Sequence, residues 1–270
     1  ANQAAIHHWE QALALGYDHV AEARAQLGDL HMLVGEYETA RNNYEAAAAR
    51  ASGANLRLLE YKLGRVYHRL GQWKLADHHY GQALAGDGQP VDPVHSAQIL
   101  ADRSLVAHRQ GQGETARMHA EAARRAAADD PAALARVYGL LSILARSADD
   151  PTGALTYARE SKALAERYGA DPALIVAAGN SLALACAQND ALDQAIEEAQ
   201  SALSVCRRIG DRHHEAALHN NLADFYHELG QEEAAMTHLK QAVTMFAAIG
   251  AAAAAEERAR QPEIWMLSEW

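Results

Sequence analysis

The sequence is short of most things that staple or anchor a chain. Only two cysteines, Cys186 and Cys206, occur in 270 residues. That is too few for a disulfide framework, and a reducing cytoplasm is the expected setting. There are six prolines, and Phe, Trp and Tyr together make up 6 %, so little interrupts a helix. Lysine is confined to Lys62, Lys74, Lys162 and Lys240, and the formal net charge is −11. An acidic chain lacks the basic density that neutralises phosphates, which argues against direct nucleic-acid binding and against an anionic membrane surface. Apolar runs such as residues 137–145 are too short to span a bilayer, and no signal peptide is visible.

What is present is alanine, at about a quarter of all positions, a composition that favours closely packed helices. The alanines are patterned. Ala5, Ala40, Ala76, Ala116, Ala154, Ala195 and Ala235 each have a small residue seven positions on: Ala12, Ala47, Ala83, Ala123, Ser161, Ala202 and Ala242. Successive starts lie 35 to 41 residues apart. A period of this length is the mark of a repeat array, and stacked repeats present a surface more readily than a catalytic pocket.

One unit reads Leu27-Gly28, His31, Gly35-Glu36-Tyr37, Ala40, Tyr44, Ala47, and the next reads Leu63-Gly64, Tyr67, Gly71-Gln72-Trp73, Ala76, Tyr80, Ala83. The +4 and +7 positions share one helix face. The small residue in the first helix admits the second closely, and the later glycine ends the first helix in a left-handed turn. In the middle units the small residues persist as Ser104, Ser142 and Ala183, while Ala120, Ala158 and Ala199 replace the large residue.

These residues resemble the tetratricopeptide repeat, a helix–turn–helix unit. The resemblance implies an all-α, right-handed superhelical solenoid of antiparallel helix pairs. It places a half repeat at 1–18, repeats at about 21–53, 56–88, 94–128, 132–168, 173–209 and 213–249, and a capping segment over 251–270. The array is thus expected to be one domain over 1–260. The opening Ala5 to Ala12 matches a second helix with no first helix before it, so the sequence is expected to be part of a longer protein, and the uncovered half repeat offers a face for homo-oligomerisation. The stretch Gly86 to Pro93 is the longest linker.

Motifs for chemistry are weak. His214-Glu215-Ala216-Ala217-Leu218-His219 has its second histidine one residue too late for a zinc helix, about 140° around the helix from the first. Gly111-Gln112-Gly113-Glu114-Thr115-Ala116 lies between helices, where a dinucleotide fingerprint would have to follow a strand. No catalytic residue, metal ligand or cofactor is therefore assigned, and the chain is expected not to be an enzyme.

In the resembled fold, the first helices of successive units line a groove. Lys62, Arg65, His68 and Arg69 fall on one such helix, the last three at i, i+3 and i+4. His108 and Arg109 follow in the third unit, and Arg136 and Arg146 in the fourth. Asn180, Asn220, Asn221 and Asp224 come from the fifth and sixth. Guanidinium forks suit carboxylates and amides suit backbone groups, so a protein or peptide partner, acidic in character, is expected.

Residues 218–230, preceded by Ile209-Gly210-Asp211-Arg212, and the ending with Trp265 and Trp270 resemble the C-terminal arrays of bacterial STAND-type signalling ATPases and transcriptional regulators. That resemblance implies a sensor or scaffold acting on intramolecular ATPase or regulatory domains. An alternative under the same resemblance is an array that senses a small-molecule effector and controls a linked ATPase, DNA-binding or cyclase domain.

Overall fold

The computed structural model describes residues 2–85, 91–168 and 171–254. Thirteen α-helices and no strand occur among them: Asn2–Ala14 (α1), Val20–Val34 (α2), Tyr37–Ala48 (α3), Gly53–Arg69 (α4), Trp73–Ala85 (α5), Pro93–Arg109 (α6) and Gly113–Ala127 (α7), then Pro131–Ser147 (α8), Pro151–Arg167 (α9), Pro172–Gln188 (α10), Leu192–Ile209 (α11), Arg212–Glu228 (α12) and Glu232–Ala254 (α13). From α2 onward the helices pack as consecutive pairs, α2 on α3 through α12 on α13. The chain divides into two compact units, Ala1–Ala128 and Asp129–Trp270, holding α1 to α7 and α8 to α13. The capping segment expected over 251–270 lies, after Ala254, outside the described residues, as do residues 86–90 of the expected linker.

Local chemistry sets the helix ends. Pro93, Pro131, Pro151 and Pro172 each open a helix behind an aspartate whose carboxylate accepts a backbone N–H of the first turn. Proline tolerates this position because its missing N–H would have had no helical partner there, and the aspartate satisfies one that remains. At the other end Gly35 closes α2 at φ 82°, its N–H directed to the carbonyls of His31 and Met32. Where repeats four and five lack this glycine, Asp149 (φ 57°) and Asp190 (φ 60°) take up the left-handed conformation, which aspartate tolerates better than most side chains.

Within each pair, the small residue of the first helix and the +4 residue of the second behave as one volume. A Cβ on Gly28 would collide with the Tyr44 ring, and one on Gly64 with the Tyr80 ring. Both tyrosines are buried. Where the +4 residue shrinks to Ala120 or Ala158, the glycine becomes Ser104 or Ser142. Each serine hydroxyl donates across the pair to an alanine carbonyl, Ser104 to Ala116 at 2.6 Å and Ser142 to Ala154 at 2.9 Å. The middle repeats therefore keep close packing with a different partition of volume and an added hydrogen bond.

A polar or aromatic rung recurs across the pairs nineteen residues apart. Arg24 Nη1 donates to Asn43 Oδ1, His79 Nδ1 meets Glu60, Tyr138 stacks on Tyr157, and His219 meets His238. In the second unit the core gathers around Leu182, Cys186, Ile196, Leu203, Cys206, Leu218, Leu222 and Phe225. Both cysteines are buried and neither is in a disulfide. Cys206 Sγ donates to the Asp211 carbonyl at 2.9 Å, and burial raises the Cys186 thiol above its ordinary range, so neither resembles an activated thiolate.

Candidate functional site

The first unit gathers cations from two first helices. Arg65, His68 and Arg69 stand one turn apart on α4, and Arg109 comes from α6. His68 is pushed down to about 3, first by burial and then by the charges of Arg69, Arg109 and Arg65. A histidine so placed is neutral at physiological pH and reports that three guanidiniums share its surroundings. Arg65 itself is solvent-exposed. Desolvation by the surrounding chain opposes its charge, and the oxygens of Tyr61, Asp102, Tyr80 and Tyr44 outweigh that, so the guanidinium stays charged. His108 lies beside Arg109 on α6 and is half-buried.

Lys62, the other expected site residue of this helix, is engaged. Its Nζ sits 2.6 Å from Asp29 Oδ2 and 5.6 Å from the centre of the Tyr44 ring, tying α4 to the preceding pair. Tyr44 Oη donates to the other oxygen of Asp29 at 2.7 Å. Asp102 accepts from Tyr61 Oη at 2.8 Å. These acidic and phenolic partners were not among the expected site residues. The signal that would have found them is an alignment of the repeats on their small residue, which puts Asp29 and Arg65 at the same position.

In the second unit the expected residues separate. Arg136 and Arg146 are half-buried on α8, and the Arg146 carbonyl accepts from Gln188 Nε2 at 3.4 Å. Asn180 on α10 and Asn221 on α12 are buried and bonded to each other, Asn221 Nδ2 donating to Asn180 Oδ1 at 2.7 Å. These amides therefore join two first helices. Asn220 and Asp224, one turn apart on α12, meet each other, Asn220 Nδ2 lying 3.4 Å from Asp224 Oδ2. Burial, then Glu228, raises the Asp224 carboxyl above the usual range.

The histidines of the near-zinc motif also part company. His214 turns to Asp211 at 2.6 Å, while His219 turns to His238 on α13 at 2.7 Å, with Arg207 Nη2 on its other ring nitrogen at 3.0 Å. Among the described residues no group of three His, Cys, Asp or Glu side chains is arranged to hold a metal ion, and no helix is long and apolar enough to cross a membrane.

With this geometry in view, the similarities to known proteins are as follows. Residues 174–248 match the tetratricopeptide repeat family model. No curated protein sequence matches the chain. Among solved structures, a Rap protein complexed with Competence and Sporulation Factor matches with a TM-score of 0.67 at 14 % identity, over 90 % of this chain and 73 % of that one. A chain of the APC/C hetero-tetramer Cut9-Hcn1 matches with a TM-score of 0.63 at 14 % identity, over 89 % of this chain and 42 % of its own. A STAND protein with a tetratricopeptide repeat sensor from Pyrococcus horikoshii matches with a TM-score of 0.59 at 16 % identity, over 91 % of this chain and 37 % of its own. The chain thus spans well under half the length of two of these three. Identities this low carry the fold alone, and the fold agrees with the repeat pattern: an all-helical array of antiparallel helix pairs, similar to that of tetratricopeptide-repeat proteins.

Proposed function

We propose that the chain is a non-catalytic scaffold or sensor array that binds a protein or peptide through the first helices of its repeats. The observation that carries this reading is the cluster of Arg65, Arg69 and Arg109 around a neutral His68, inside a chain of net charge −11. Concentrated positive charge on an acidic surface attracts and orients an acidic partner. The scaffold role fits a fold that in other proteins is solved with a bound factor or with a partner subunit. The STAND structure with a repeat sensor supports, at the level of fold, a place for such an array in a larger signalling protein, where the partner would be a linked ATPase or regulatory domain.

The test is capture of partners by the purified chain, repeated with Arg65→Glu and Arg109→Glu. Charge reversal within the cluster is expected to abolish capture of the specific partner while leaving helicity unchanged. Capture that persists in both variants refutes the assignment to this cluster. A thermal shift caused by a metabolite, with no protein captured, would move the assignment to an effector-sensing array.

A further inference from the structure

Repeats one and two are built alike around their tyrosines, and the comparison exposes a missing acceptor. Tyr44 packs over Gly28 and Tyr80 over Gly64, each ring filling the space a Cβ would need, so the two hydroxyls occupy equivalent places. In repeat one the residue after the glycine is Asp29. Its carboxylate accepts from Tyr44 Oη at 2.7 Å and pairs with Lys62 at 2.6 Å. In repeat two the residue after the glycine is Arg65. There Tyr80 is fully buried and its hydroxyl has no hydrogen-bond partner. Asp102, the carboxylate in electrostatic reach of both Arg65 and Tyr80, is engaged by Tyr61 Oη at 2.8 Å. A buried hydroxyl left without an acceptor is costly and calls for an explanation.

We propose that repeat two is completed from outside the chain: a carboxylate of a bound polypeptide takes the place that Asp29 holds in repeat one, ion-paired to Arg65 and accepting a hydrogen bond from Tyr80 Oη. This rests on the groove reading above and specifies the group recognised there. Arg65 is exposed and meets the anion, and the second bond forms when the carboxylate enters beside it and excludes water. Arg69 and Arg109 supply the field that draws the anion in. A carboxylate fits better than a phosphate. One guanidinium and one phenol match two oxygens of a planar group, and Asp102 close by would repel a dianion. Repeat one supplies the precedent within the same molecule, since its own carboxylate does the same task.

The test measures binding of fluorescein-labelled peptides by anisotropy: hexaglutamate amide, which offers only side-chain carboxylates, hexaglycine with a free C-terminus, and hexaglycine amide. Binding of the first or the second, and not the third, is expected, and which of the two binds identifies the source of the carboxylate. Arg65→Asp restores the repeat-one arrangement. It should keep the fold, leave the melting temperature unchanged or raise it, and weaken peptide binding at least about tenfold, the loss of a charge-assisted pair. Tyr80→Phe removes the orphan hydroxyl and should not lower the melting temperature, yet should weaken binding about three- to tenfold. If Tyr80→Phe binds as the parent does, the tyrosine is only a packing element and the proposal falls. It falls equally if neither carboxylate peptide binds, whereas the groove reading stands or falls on the capture experiment alone.

Discussion

Acid should loosen the last helix pair through a histidine relay whose protons are fixed by geometry. Arg207 can only donate, so His219 Nε2, 3.0 Å from Arg207 Nη2, must accept. The His219 proton then sits on Nδ1 and is donated to His238 Nδ1 at 2.7 Å, which leaves the His238 proton on Nε2. Arg207 is held in turn by Glu215 at 2.9 Å, and the His238 ring stacks on Tyr226, whose hydroxyl accepts from Gln200 on α11. Adding a proton to either imidazole sets two donors face to face. Burial accordingly lowers both histidines. His219 falls to about 4, from burial, then His238, then Arg207, and His238 falls from burial, then Arg207. The unfolded chain takes up these protons near pH 6.5 and the folded chain only well below that. The relay's stabilisation is therefore complete above about pH 6.5 and drains away as pH falls towards 4. One pK unit is worth about 1.4 kcal/mol, and discounting roughly half of the His219 shift for solvent screening leaves ~1.5–2 kcal/mol. Urea unfolding at pH 7.5, 6.5, 5.5 and 4.5 measures it, with His219→Gln as the control, because glutamine can accept from Arg207 and donate to His238 without titrating. The parent should lose ~1.5–2 kcal/mol more than the variant over that range. Equal losses in the two proteins, or a ring-nitrogen NMR spectrum placing the His219 proton on Nε2, would refute the reasoning.

Two further outcomes follow from packing and hydrogen bonding. Gly64→Ala drives a methyl into the Tyr80 ring and should cost ~1–3 kcal/mol. Tyr80→Ala alone should cost about 3–5 kcal/mol. Gly64→Ser with Tyr80→Ala, which copies the Ser104 and Ala120 pair, should cost clearly less than the sum of its two changes in a double-mutant cycle read by denaturant unfolding, and strict additivity would contradict the shared-volume account. Asn180→Ala should destabilise the second unit by ~1–3 kcal/mol by orphaning the buried Asn221 amide. Asn180→Leu with Asn221→Leu should recover part of that loss, since two apolar groups leave nothing unsatisfied. A double variant less stable than the single one by unfolding midpoint would argue against a simple amide pair.

What was legible in the sequence was periodic, and what was hidden was relational. The alanine period fixes the helix pairs because a small side chain is required wherever two helices touch closely, whichever repeat it occurs in. Ala40, Ala76, Ala116 and Ala154 are all fully buried for that reason. The aspartate–proline openings were readable as loops, and the structure adds that each aspartate caps the helix its proline begins. The site was harder because one face of a first helix carries both groove residues and ties to the neighbouring pair. Lys62 and Asn221 look alike as groove candidates in sequence, yet one reaches Asp29 thirty-three positions back and the other Asn180 forty-one positions back. Those separations approximate one repeat length, so they become visible only when repeats are compared with each other and not read singly. The same comparison is what singles out Arg65. Its meaning lies less in being an arginine than in standing where the preceding repeat has an aspartate, over a buried tyrosine that lacks the acceptor its counterpart enjoys. In an array whose repeats share one plan, departures from that plan at a buried polar group are therefore a sharper guide to recognition than the charge of any single residue.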